Sequence, residues 1–183
     1  MKPILIVIDM QNDFFRKEGL AIQRQKLSAA NNELIVFARE HNIPVIWIVT
    51  KYAADFSDAT LEMKKYNSLI CVEGSHGAEI ISEMDFHPAD DIVLKKRYSA
   101  FYQTGLIERL NQYQPTHLIM SGINTHACVR TTAVDAFQMD FEVILARDCI
   151  SSYDRAHHEI SMNYMDGKIG TALSNPEIFE LCK

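Results

Sequence analysis

Cysteine, glycine and proline are all scarce: of 183 residues, 4 are cysteine, 7 glycine and 5 proline. Cys71, Cys128, Cys149 and Cys182 are scattered and lack metal-ligand spacing. No export signal is expected either. Met1-Lys2-Pro3 leads into five apolar residues and then Asp9, too short a run for a signal-peptide core. The thiols are therefore expected to be reduced, in a cytoplasm. No stretch is apolar enough to span a membrane. Basic excess is also absent: 18 Lys and Arg stand against 24 Asp and Glu, for a net charge of -6 and a pI of about 5.6. No basic cluster is long enough to track a phosphate backbone, which argues against nucleic acid as a partner. There is no Gly-x-Gly-x-x-Gly. The loop after the first apolar run holds Asp9 and Asp13, which repel phosphate, so a nucleotide- or flavin-binding domain is disfavoured. Repeats, low-complexity segments and linkers are lacking. With 48% hydrophobic content, residues 1–183 suit one compact domain.

The chain is organised around residues 116–137. Thr116 to Met120 reads as a buried strand, followed by the turn signal Ser121-Gly122. From about Thr125, Val129, Ala133, Ala136 and Phe137 follow helical spacing. Cys128 then falls in the first turn of a helix, where unpaired N–H groups and the helix dipole favour a thiolate and can hold an oxyanion. A free cysteine is otherwise most often a small buried hydrophobe.

Other buried strands are expected over Ile4 to Ile8, Pro44 to Val49, Ile92 to Leu94 and Phe141 to Ala146, with a short one near Lys168 to Ala172. Trp47 is most simply core. Ser28 is expected to cap a helix carrying Ala30, Leu34, Phe37 and Ala38, and Thr104 one with Leu106, Ile107 and Leu110 inward. Ser151 or Ser152 is expected to cap a helix with Ala156, Ile160 and Tyr164 on one face, and Asn175-Pro176 to start a last helix. A short helix is expected around Ala78 to Met84. Residues 51–77 show no clear period, and so long a connection is usually functional or mobile. Strands alternating with helices imply an α/β fold, a parallel sheet with helices on both faces.

In such folds the site lies beyond the carboxyl ends of the strands. Those positions hold Asp9 after the first strand, Lys95 after the third, Cys128 after the fourth and Asp148 after the fifth. An acid, an amine and a thiol from three strands can converge as base, cation and nucleophile. Each has an ordinary alternative: Asp148 as a turn or cap, Lys95 as a solvated strand end. Asp9, however, abuts a fully apolar strand, where a carboxylate without a partner is costly.

The segments Asp9-Met-Gln-Asn-Asp-Phe14, Lys95-Lys-Arg-Tyr-Ser-Ala-Phe101 and Gly122-Ile-Asn-Thr-His-Ala-Cys128-Val, with Thr132-Ala-Val-Asp-Ala136, resemble the isochorismatase-like cysteine hydrolases. That family includes nicotinamidases, carbamoylsarcosine amidohydrolases and isochorismatases. The resemblance covers nearly the whole chain, with the motifs in the family order. It implies a Rossmann-like three-layer sandwich whose six-stranded parallel sheet runs 3-2-1-4-5-6, and a catalytic triad of Asp9, Lys95 and Cys128. It also implies a non-proline cis peptide between Ile123 and Asn124, which would aim the N–H groups of Asn124 and Cys128 at one oxyanion. Phe14 and Gln11 are implied as substrate-binding positions, Phe14 by packing and Gln11 by hydrogen bonds that orient the site. Family members commonly form dimers or tetramers, so a homo-oligomer is expected.

Vinyl-ether-cleaving isochorismatases typically lack the cysteine, so its presence favours hydrolysis of a C–N bond in a small amide or carbamoyl compound. Nicotinamidases hold a metal ion with an Asp-x-His pair after the second strand. The matching Tyr52-Ala-Ala-Asp55-Phe-Ser-Asp58 has no histidine, and His76 is the nearest. No metal and no other cofactor is therefore expected. The alternatives are a vinyl-ether hydrolase and a catalytically silent member serving as an assembly subunit. Arg97 and Arg130 are possible carboxylate ligands, and His126 a possible substrate contact.

Overall fold

The structure is a computed structural model describing residues 1–183. Its frame is six strands: β1 (Pro3–Ile8), β2 (Val45–Thr50), β3 (Asp91–Lys95), β4 (His117–Ile123), β5 (Glu142–Ser151) and β6 (Thr171–Leu173). All pair in parallel, in the order β3-β2-β1-β4-β5-β6. The expected α/β sheet and its order are thus present.

Apolar side chains alternate between the sheet's two faces, as the pleat requires. Leu5 and Val7 of β1 join one core with Leu34 and Ile35 of α2 (Arg24–Glu40) and Ile178 of α7 (Asn175–Cys182). Ile4, Ile6 and Ile8 join a second core with Leu106 and Leu110 of α4 (Leu106–Tyr113), Ala133 and Ala136 of α5 (Arg130–Gln138), and Met165 of α6 (Arg155–Met165). Since β1 packs on both faces, none of its interior positions is polar, and it reads as a continuous apolar run. Two short helices, α1 (Glu18–Ala21) and α3 (Leu61–Tyr66), complete the chain. No helix is long and apolar enough to cross a membrane.

Several local expectations are corrected. Ser28 lies inside α2, its hydroxyl donating back to the Arg24 carbonyl at 2.8 Å. The helix expected at Ala78 to Met84 does not form. There the Ala78 carbonyl accepts from the Gln11 side chain at 2.7 Å, and the Ile81 N–H donates to Met10 at 2.9 Å. The backbone groups that would close a helical turn are engaged by the loop after β1. Asp154, not Ser151 or Ser152, caps α6 by accepting from the His157 N–H. That helix turns Ser161 and Met165 inward and leaves Ile160 exposed; Tyr164 instead lies under the Arg130 guanidinium, 4.5 Å from it. Phe137 is exposed as well. β5 runs on to Ser151, past a register irregularity between Met120 and Gly122 of its neighbour.

The strand order reverses between β1 and β4, which opens a crevice at their carboxyl ends. Gly122 makes the close approach of these strands workable. Its φ is +97°, and a Cβ there would sit 2.0 Å from the Ile8 carbonyl oxygen.

Candidate active site

Polar residues gather where the apolar strands end. Asp9 follows β1 in a left-handed conformation (φ 55°), which an aspartate tolerates better than a branched residue. Lys95 is the last residue of β3 and Thr50 the last of β2. Beyond β4 the peptide between Ile123 and Asn124 is cis, as the resemblance implied. A single wide turn, Thr125–Val129, then leads into α5 and carries Cys128. In it the Asn124 carbonyl accepts from both Ala127 (3.0 Å) and Val129 (3.2 Å), while the Asn124 N–H has no backbone acceptor.

These side chains meet. Lys95 Nζ is 2.7 Å from Asp9 Oδ2 and donates to Cys128 Sγ at 3.3 Å, Thr50 Oγ1 at 2.8 Å and the Arg97 carbonyl at 3.2 Å. The Thr50 hydroxyl in turn donates to Asp9 Oδ1 at 2.7 Å. Asp9, Thr50, Lys95 and Cys128 are all buried. Asp9 Oδ2 takes no aligned hydrogen bond beyond its ion-pair contact, and the Asp9 carboxylate acts on the Cys128 thiol.

The electrostatics differ from those of an isolated helix-start thiol. Burial pushes the Cys128 thiol up to about 12, the Asp9 carboxylate adds to this, and Lys95 opposes it. The resting group is therefore a thiol rather than the thiolate that its position in a first turn favours. Burial alone would lower Lys95, but the Asp9 charge and the contacts with Asp9 and Cys128 outweigh that and hold it raised. The site at rest is an ammonium–carboxylate pair beside a protonated sulfur.

Cys128 and Lys95 open into a cleft of about 700 Å³, walled by Phe14, Tyr52, Met63, Tyr98 and Tyr153. Phe14 is part of this wall. Gln11 does not line the cleft. It is fully buried, and its amide donates to the Thr50 and Ala78 carbonyls (2.7 Å each) and accepts from the Thr50 N–H at 2.8 Å. It holds the end of β2 and is not part of the cleft wall. Arg97 reaches the cleft wall, whereas Arg130 packs on Tyr164 away from it. His126 lines the cleft with Nδ1 2.7 Å from Ser152 Oγ, and burial followed by the nearby His157 lowers its pKa. Asp148 accepts from the Asn175 N–H at the start of α7 at 2.9 Å, beside the Ser174–Glu177 capping box. His76 is exposed and paired with Glu79 at 2.9 Å. No cluster of three or more His, Cys, Asp or Glu side chains is placed to hold a metal ion.

Sequence reasoning missed Thr50. The signal was available: it is the polar residue at the carboxyl end of an otherwise apolar strand, the same pattern that singled out Asp9.

A parallel sheet presenting a buried thiol, carboxylate and amine at its switch point defines an α/β protein with a nucleophile site. Comparison with known proteins narrows that class. The isochorismatase domain model matches residues 3–177, and the chain belongs to that family. It is 32% identical over 144 residues to the probable inactive nicotinamidase At3g16190 of Arabidopsis thaliana, covering 75% of this chain and 74% of the relative. The crystal structure of an isochorismatase family protein from Desulfovibrio vulgaris superposes with a TM-score of 0.88 at 28% identity, covering 98% of this chain and 97% of that one. N-carbamoylsarcosine amidase from Thermoplasma acidophilum does so with a TM-score of 0.81 at 26% identity, covering 97% and 98%.

Proposed function

We propose that this isochorismatase-family hydrolase cleaves a C–N bond, amide or carbamoyl, of a small molecule through a thioester on Cys128. The observation that carries this reading is the single ammonium of Lys95 in contact with both the Asp9 carboxylate (2.7 Å) and the Cys128 sulfur (3.3 Å). That arrangement supplies a base for the thiol proton and a fixed positive charge for the thiolate that results.

The steps follow from the groups present. Asp9 takes the proton of Cys128 as the sulfur attacks the carboxamide carbon. The tetrahedral oxyanion falls at the N–H groups of Asn124 and Cys128, where donors of this kind are typically worth roughly 3–4 kcal/mol of barrier. Collapse breaks the C–N bond, and Asp9 returns its proton to the departing ammonia. Water then attacks the thioester with Asp9 again as base, releasing the acid and restoring the thiol. The resting protonated sulfur fits this order, since the proton must move only when substrate is bound. The amidase relative from Thermoplasma acidophilum supports the reaction class. The plant relative described as inactive keeps a silent member in view, although here the acid, amine and thiol are all present and in contact.

The test is ammonia release from a panel of primary amides and carbamoyl compounds, wild type against Cys128→Ala. Release by the wild type that disappears in the variant is expected. A Cys128→Ala protein that still releases ammonia at the wild-type rate would overturn the scheme.

A further inference from the structure

Asp9 has two carboxylate oxygens with unlike surroundings. Oδ1 accepts the Thr50 hydroxyl at 2.7 Å, and Oδ2 faces Lys95 at 2.7 Å with no other aligned donor. The Thr50 oxygen also accepts from Lys95 Nζ at 2.8 Å, so its one proton is committed to Asp9. Thr50 cannot shift readily. Its backbone N–H and carbonyl are both held by the Gln11 amide, at 2.8 and 2.7 Å, and that amide is anchored a third time on Ala78. Gln11 and Thr50 are 0% and 3% exposed, so water does not compete for these groups. This chain of bonds runs from Gln11 through Thr50 to the carboxylate and the ammonium, and none of it depends on bound substrate.

We propose that Thr50 is a positioning residue of the hydrolysis: clamped by Gln11, its hydroxyl ties down Oδ1 of Asp9 and leaves Oδ2 as the oxygen that takes the Cys128 proton. The proposal rests on the thiol-hydrolase reading above. A carboxylate held through one oxygen presents the other in a fixed direction, and buried orienting partners of this kind typically change rates by about 10–100-fold when removed.

The experiment compares Thr50→Val, which keeps the shape and loses the hydroxyl, with Thr50→Ser, which keeps the hydroxyl. Expected for Thr50→Val is a kcat about 10–100-fold lower with KM nearly unchanged. Thr50→Ser should recover most of the rate. A folded Thr50→Val with wild-type kcat overturns the proposal, as does Thr50→Ser failing as badly as Thr50→Val. If Thr50→Val does not fold, Thr50→Ala carries the same contrast with Ser. A second readout needs no turnover: iodoacetamide alkylation of Cys128 between pH 7 and 9, read by mass spectrometry of the Cys128 peptide. With Oδ1 freed, Oδ2 is no longer held in one direction to take the sulfur's proton, so alkylation should slow several-fold in Thr50→Val and not in Thr50→Ser. Loss of this contrast, with Cys128-dependent ammonia release intact, sinks the positioning role alone. The contrast persisting in a protein that releases no ammonia sinks the hydrolase reading and leaves the clamp standing.

Discussion

Lys95 and Asp9 form an ion pair at 2.7 Å with their side chains 2% and 0% exposed, at the ends of two strands separated by β2. Removing one partner strands the other in a medium that solvates it poorly, a change that costs roughly 3–5 kcal/mol in comparable buried pairs. Lys95→Ala should therefore lose activity and also unfold at distinctly lower denaturant. Lys95→Met, which fills the same space, should suffer nearly as much, because the stranded carboxylate is the cause. Urea titrations of both variants check this. A midpoint within error of wild type for either would mean that water or a rearranged donor compensates Asp9.

Gln11 gives a prediction of a different kind. Its amide satisfies three buried backbone groups and lies outside the cleft wall. Each buried group left unpaired costs about 1–3 kcal/mol. Gln11→Ala should then be less stable by at least about 3 kcal/mol on that basis. Its turnover should fall because Thr50 and Asp9 lose their anchor, while KM stays close to wild type. A substrate-binding Gln11 would show the reverse, a raised KM in a protein of normal stability.

The free thiols set an alkaline limit on the fold. Burial raises the pKa of Cys71, Cys128 and Cys149, with Asp9 and Asp13 adding to it at Cys71 and the Asn175 contact opposing it at Cys149. A group whose folded pKa is raised contributes stability that is fully present below its unfolded pKa, about 8.5 for a thiol. That stability drains as pH climbs toward the folded value, which for Cys128 is about 12. Stability should thus be flat to near pH 8 and fall steeply above about pH 9. Cys149→Ala removes one of the three groups, at the cost of a cavity, and should flatten that fall. Guanidinium unfolding at pH 7.5, 9 and 10.5 measures it. A midpoint independent of pH in this range would show that the thiols are not protonated because of the fold.

The sheet and the meeting of three chemical groups were legible because the strands are apolar runs, buried on two faces in β1, β2 and β4 although β3, at the sheet edge, leaves Ile92 and Leu94 exposed. Apolar runs such as Ile4 to Ile8 announce themselves, and the first polar residue after them must have a partner. Asp9 and Lys95 fall under that rule, and so does Thr50, which the same rule applied to β2 would have found; Cys128 was legible instead from its place in the first turn of a helix. The misplaced elements are those where side chains take over backbone bonding. No local pattern shows that Gln11 captures the Ala78 carbonyl 67 residues away and cancels a helical turn. Nor does the spacing of Ala156, Ile160 and Tyr164 show which face α6 turns inward, because Ser161 and Met165 offer another. The thiol's resting state was likewise out of reach. A first-turn position argues for a thiolate, and only the packing reveals that burial and Asp9 overrule it.

Gly122 tests whether the crevice depends on how closely β4 approaches β1. Its Cα lies so near β1 that a Cβ would meet the Ile8 carbonyl oxygen at 2.0 Å and the Ile8 nitrogen at 2.7 Å. Both obstacles are backbone of a central strand, which has no rotamer to change. The φ of +97° adds strain for any residue with a Cβ. Gly122→Ala must therefore push the strands apart beside Asp9 and the turn that carries Cys128. The expected result is a loss of more than about 3 kcal/mol or failure to accumulate as soluble protein, since overpacking and backbone strain act together. Gly105 is the matched control, because a Cβ there meets nothing within 4 Å and its φ is ordinary. Gly105→Ala should unfold within about 1 kcal/mol of wild type and keep full turnover. If Gly122→Ala behaves like Gly105→Ala in thermal unfolding, β1 and β4 can separate without cost, and the crevice geometry does not rest on their contact.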